Sequence, residues 1–179
     1  MNPQGAMHFL VSTVFDIVIF LVLTRLILQL VRADFYNPIS QFVVRATNPV
    51  LAPLRKLIPS PPLLDTAALV MAIVLIIAKV VVLSLLIRGS VPPVNILVLF
   101  SVQQLASLML TYLFFAILIR IILSWVAPDP YNPMTAIMSQ ITEPVMAPAR
   151  KLLPPIGGLD LSPILVLFVI HFLRVLFQV

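Results

Sequence analysis

Residues 129–160 read DPYNPMTAIMSQITEPVMAPARKLLPPIGGLD, and residues 34–65 read DFYNPISQFVVRATNPVLAPLRKLIPSPPLLD. The two segments align without a gap, 95 positions apart, and Arg25 and Arg120 keep that register upstream. Self-similarity at a fixed period marks a tandem duplication. Within each copy the prolines have positional meaning. Asn37-Pro38 and Asn132-Pro133 read as an N-cap followed by proline at the first helical position, where its missing N–H is harmless. A short helix is predicted there, with Ile39, Phe42, Val43 and Ala46 on one apolar face and Met134, Ile137, Met138 and Ile141 repeating it. A second short helix is predicted to be capped by Thr47 and Thr142, with Pro49 and Pro144 in its first turn. Pro53 and Pro148 are expected to kink or break it. Each loop therefore reads as two amphipathic segments lying at the headgroup level.

The composition says what surrounds these loops. Of the 179 residues, 61% are hydrophobic and only 9% charged, against about 25% charged in soluble domains. That excludes both a water-soluble globule and a disordered chain. Four stretches reach or approach the ~20 residues that a membrane crossing needs: Phe9–Val31, Thr66–Ile87, Gln104–Val126 and Ser162–Val179. The expected fold is all-α, with four transmembrane helices arranged as two helix-loop-helix repeats. The first repeat covers 1–90, a linker or helix extension covers 91–103, and the second repeat covers 104–179. Two crossings per repeat return the chain to the same side, so the repeats are expected to be parallel, related by a pseudo-two-fold axis along the membrane normal. Arg32, Arg45, Arg55 and Lys56 in the first loop, and Arg150 and Lys151 in the second, outweigh Arg88 on the opposite side. By the positive-inside rule the long loops are cytoplasmic and the termini outside.

The order Leu118-Ile-Arg120, Asp129-Pro-Tyr131-Asn132-Pro133, Thr142-Glu-Pro144, Ala147-Pro-Ala-Arg150-Lys151 and Gly157-Gly-Leu-Asp160 resembles the YggT family of small bacterial and plastid membrane proteins over essentially the whole chain. The first copy departs from the pattern: Phe35 stands where the second has Pro130, and residues 60–63 lack the Gly-Gly pair. The resemblance implies a bacterial inner-membrane protein with two such repeats. It also implies links to osmotic stress tolerance and ion homeostasis, to envelope or division-site organisation, or to assembly of cytochrome b-type complexes, with no enzymatic reaction attached.

Several residues invite a functional reading. Counted at ~1.5 Å per residue from the loop ends, Asp16 and Lys79 share a depth of about 21–22 Å, and Arg174 is the second-repeat equivalent of Lys79. An ionisable residue at that depth is a functional candidate by default. Asp16 forms either an ion or proton site or a static pair with Lys79 or Arg174 that fixes packing; snorkelling of the two cations is the third reading. His8, Ser12 and Asp16, and likewise Gln103, Ser107 and Thr111, place polar groups at i, i+4 and i+8, suited to helix packing or to a narrow hydrated path. Arg25 and Arg120 either snorkel to phosphate or lock the loop by bonding Asp34, Asp129 or loop carbonyls. Asp34, Tyr36, Asn37 and Pro38, with Asp129, Tyr131, Asn132 and Pro133, form the repeated loop motif. Arg55, Lys56, Arg150 and Lys151 suit anionic lipid or a cytoplasmic partner. Asp65 and Asp160 read as helix caps.

No nucleotide fingerprint, paired acid/base carboxylates or metal-ligand spacing occurs, the chain has no cysteine, and neither a catalytic role nor a cofactor is expected. Nor is nucleic acid an expected partner. The expected partners are the bilayer with its anionic lipids, and other membrane proteins or further copies of the chain. The leading expectation is a non-enzymatic accessory or organising factor. The alternatives are a small oligomeric K⁺, H⁺ or solute pathway supporting osmotic adaptation, and a cytochrome cofactor-assembly helper.

Overall fold

The structure is a computed structural model describing residues 3–59, 61, 64–126, 129, 131–153 and 160–177. Among them are six α-helices and no strand: α1 Pro3–Leu30, α2 Pro38–Arg55, α3 Thr66–Arg88, α4 Val94–Val126, α5 Pro133–Leu152 and α6 Ser162–Leu176. Three helical stretches, Gln4–Leu30, Thr66–Ile87 and Val94–Val126, are long and apolar enough to cross a membrane. Helix α6 is apolar but spans 15 residues, about 22 Å at 1.5 Å per residue. Residues 94–103 are helical and continuous with the third apolar helix.

Local chemistry sets the helix ends. Asn37 and Asn132 accept the amides of Ile39 and Met134 through Oδ1, each at 2.9 Å, as the Asn-Pro pairs predict. Helix α3 closes on Gly89 at φ +66°, whose N–H returns to the Leu85 carbonyl at 3.1 Å, the left-handed stop that glycine favours. Helix α1 closes the same way without a glycine. Arg32 takes φ +54°, and the amides of Arg32 and Ala33 reach the carbonyls of Gln29 and Leu28, a Schellman pattern.

The loops differ from the sequence reading. Each holds one helix, α2 or α5, where two short ones are expected. Thr47 and Thr142 do not cap a new helix. Their hydroxyls instead donate to the carbonyls of Val43 and Met138, both at 2.7 Å, one turn back in the same helix. Nor do Pro53 and Pro148 end it: α2 runs through Pro49 and Pro53, and α5 through Pro144 and Pro148. Each proline removes one backbone bond. All four are exposed and lie four residues apart within each helix, so the freed carbonyls fall on an outer side open to other donors.

The described chain forms two compact units, and their boundaries cut through α1, α2 and α4. One comprises the chain through Leu26 with Val43–Ala106, the other Ile27–Phe42 with the chain from Ser107 onward. In the first, Ile19, Val22 and Leu23 of α1, Leu51 of α2, and Ala67, Ala68, Ala72 and Ile76 of α3 are buried. The alanines let backbones approach closely, the usual way spanning helices pack. In the second, Ile117 of α4, Met146 and Ala149 of α5, and Val166 and Ile170 of α6 form one cluster.

Candidate functional site

In the first unit a carboxylate is buried between two guanidinium groups. Asp65, 0% exposed, caps α3 by accepting the Ala68 amide at 3.1 Å. Its other oxygen pairs with Arg55 Nη2 and lies 3.9 Å from Arg25 Nε. Arg25, 7% exposed, also donates to Asn48 Oδ1 at 3.5 Å. The helix N-terminus and both guanidinium groups set positive charge around the Asp65 carboxylate. This joins the loop ends of α1, α2 and α3 through one anion.

The second unit keeps both arginines and moves the acid. Arg120 Nη1 donates to Thr142 Oγ1 at 2.7 Å and to Glu143 Oε2 at 3.2 Å, and Arg150 pairs with Glu143 Oε1. Glu143 is the repeat equivalent of Asn48. Asp160, the equivalent of Asp65, is exposed and accepts the Ser162 hydroxyl at 2.6 Å and the Ser162 amide at 2.9 Å. The Ser162 hydroxyl bond holds the Asp160 carboxyl below its ordinary value of 3.8 against a smaller opposing effect of burial. The Ser162 amide and the fields of Arg150 and Arg120 add to the lowering. A depressed folded-state value stabilises the fold above the unfolded value and loses that contribution as pH falls through the folded one. Stability curves of the wild type and Asp160→Asn should therefore separate above about pH 4 and converge in stronger acid. Parallel curves down to the lowest pH would remove this role.

Neither Arg25 nor Arg120 uses the partners expected of it. The acceptors are Asp65, Asn48, Thr142 and Glu143, while Asp34 and Asp129 accept the amides of Tyr36 and Tyr131, two residues on, at 2.8 and 2.9 Å. An aspartate leading a turn is closest to its own backbone. Arg25 is turned into protein, which rules out snorkelling for it. Arg55 and Arg150 are likewise engaged with acids, leaving Lys56 and Lys151 as the exposed members of their pairs.

Within the second unit the two copies of the Asp-x-Tyr-Asn-Pro motif meet. Asn37 Nδ2 donates to the Pro133 carbonyl at 2.9 Å, and the Asp34 amide donates to Gln140 Oε1 at 2.9 Å. Pro38 and Pro133 open α2 and α5 beside this seam. Asn37 is buried, whereas Tyr36 and Tyr131 are 90% and 91% exposed, and Phe35, Phe42 and Trp125 are exposed as well. The repetition of Asn-Pro is the one signal that points to the seam.

The intramembrane candidates separate. Lys79 Nζ lies 2.6 Å from Asp16 Oδ1, so the shared depth read from the sequence corresponds to a formed pair. Ser12, Ser107, Thr111 and Arg174 are half-buried, and Arg174 Nε is buried with no hydrogen-bond partner among the described residues. Among those residues no three His, Cys, Asp or Glu side chains group to hold a metal ion.

A family model described as CCB3/YggT matches residues 4–86 and 99–179. The chain belongs to the CCB3/YggT family. The two matched segments fit a chain of two tandem repeats. Among CCB3/YggT relatives, an uncharacterized Pseudomonas aeruginosa protein is 47% identical over 87% of this chain and 80% of its own length. An uncharacterized Vibrio alginolyticus protein, described by its place in the proC 3′ region, is 47% identical over 93% of this chain and 89% of its own. The uncharacterized YggT of Escherichia coli K12 is 34% identical over 94% and 87%. No solved structure matches.

Proposed function

We propose that this CCB3/YggT protein is a non-enzymatic inner-membrane organising factor whose loop side presents a fixed aromatic surface to other membrane proteins. In this reading α6 is the fourth crossing, the repeats are parallel, α2 and α5 lie at the cytoplasmic headgroups, and Lys56 and Lys151 contact anionic lipid. The observation that carries it is the seam. Asn37, Asp34 and Gln140 are used to hold the two loop motifs together, while Tyr36 and Tyr131 stand almost fully exposed and Trp125, Phe35 and Phe42 are exposed as well. Rigid amphipathic aromatics bind partners at low entropic cost, and they suit the headgroup region.

A photo-crosslinking residue at Tyr131, compared with one at Lys151, tests the proposal in native membranes. Capture of one discrete membrane protein from Tyr131, lost when Trp125 and Tyr36 are changed to alanine, is the expected result. K⁺ or H⁺ flux through the purified protein in vesicles, with lipid alone captured at Tyr131, would replace it by the pathway reading.

A further inference from the structure

We infer that the chain self-associates as a two-fold dimer through the face of α1 that carries Asp16, with the Asp16–Lys79 pairs of two copies meeting at one membrane depth. The inference concerns the first unit and does not depend on the loop-side surface. Asp16 sits midway along α1, about 20 Å from Pro3 and about 21 Å from Leu30 at 1.5 Å per residue. Its two-bond side chain reaches neither headgroup layer. Yet the side chain is 50% exposed while paired with Lys79, itself 20% exposed, and Phe9 and Ile17 around it are exposed too. Among the described residues this carboxylate is left half uncovered, and hydrocarbon offers no donor to it.

Charge balance selects the occupant. The pair is neutral and presents an anion beside a cation. A two-fold axis along the membrane normal keeps equivalent residues at equal depth. A second pair can then lie head-to-tail against the first, so that each carboxylate gains a second ammonium and each ammonium a second carboxylate. The four charges sum to zero. A partner bringing a single cation or anion would leave net charge buried in hydrocarbon, and a lipid chain would leave the exposed half of Asp16 against hydrocarbon.

The absence of cysteine makes the test clean. Single cysteines at Phe9, Ser12, Thr13 and Ile17 are oxidised in native membranes, with one at exposed Phe168 on α6 as the control. At least one α1 position should give a product of twice the chain mass, and Phe168 should give none. The variant D16L/K79M, which leaves neither charge unpaired, should lower that yield at least about tenfold, the equivalent of 1.4 kcal/mol. The exchanged pair D16K/K79D should restore it. The inference is overturned if no α1 position crosslinks, if the products contain a different protein, or if D16L/K79M dimerises as well as the wild type. Should D16L/K79M fail to accumulate, D16K/K79D decides: crosslinking retained supports the dimer, and crosslinking lost overturns it.

Discussion

Asp65→Asn should lower stability by about 3–5 kcal/mol, the usual result of removing one partner from a buried ion pair. The side chain is fully buried, and Arg55 and Arg25 both converge on it. Asparagine preserves size and can still cap α3, but it leaves two guanidinium groups facing each other without an anion. Thermal unfolding in detergent, followed by helical signal, measures the loss, and abundance in membranes should fall with it. The second repeat supplies the remedy. There the acid stands at Glu143, the position of Asn48, and holds Arg120 and Arg150. Adding Asn48→Glu to Asp65→Asn should therefore recover at least half of the loss, because Asn48 already lies against Arg25. Asp160→Asn, at the equivalent but exposed position, should cost only about 1 kcal/mol at neutral pH, the separation expected above about pH 4. An Asp65→Asn protein as stable as wild type, or no recovery from Asn48→Glu, would remove the relocated-acid account.

Asn37→Ala should cost about 2–3 kcal/mol, against about 1 for its repeat equivalent Asn132→Ala, from the added loss of a cap and a buried hydrogen bond. Both residues cap a helix. Only Asn37 is buried and reaches across the seam to Pro133. Asn37→Asp separates the two contributions: it keeps the cap acceptor and sets an anion against the Pro133 carbonyl in place of a donor. Its stability should lie no higher than that of Asn37→Ala, and capture from Tyr131 should drop in both variants while persisting in Asn132→Ala. Equal losses at Asn37 and Asn132 would mean that the seam contributes nothing beyond the caps.

Legibility followed the range of the interaction. The helix starts at Pro38 and Pro133 were readable because an Asn-Pro pair acts within one turn, and the amphipathic face of α5 was readable because Ile137, Met138 and Ile141 recur at helical spacing and are buried. The continuity of α2 and α5 was not. Whether an internal proline breaks a helix depends on where the freed carbonyl points, and the exposed side chosen by Pro49, Pro53, Pro144 and Pro148 is a property of packing. The stop at Arg32 was missed because it uses a non-glycine left-handed residue. The depth match of Asp16 and Lys79 could be counted along two helices, and the pair forms. The partners of Arg25 and Arg120 could not be counted, since nearby Asp34 and Asp129 are taken by their own turns.

The sequence by itself determined the duplication, the all-helical class and the family; of the four crossings it led one to expect, three are long apolar helices and the fourth, α6, spans 15 residues. The class follows from composition and short-range periodicity, the duplication from self-similarity at an offset of 95 residues, and the family from the resemblance of the ordered motifs. Only the tertiary structure decided which acid neutralises each pair of arginines, that the two loop motifs join through Asn37 and Pro133, and that Asp16 remains half uncovered. Those outcomes depend on side chains from separate helices reaching one point. In a duplicated chain each such point has two nearly equivalent solutions, and packing selects between them.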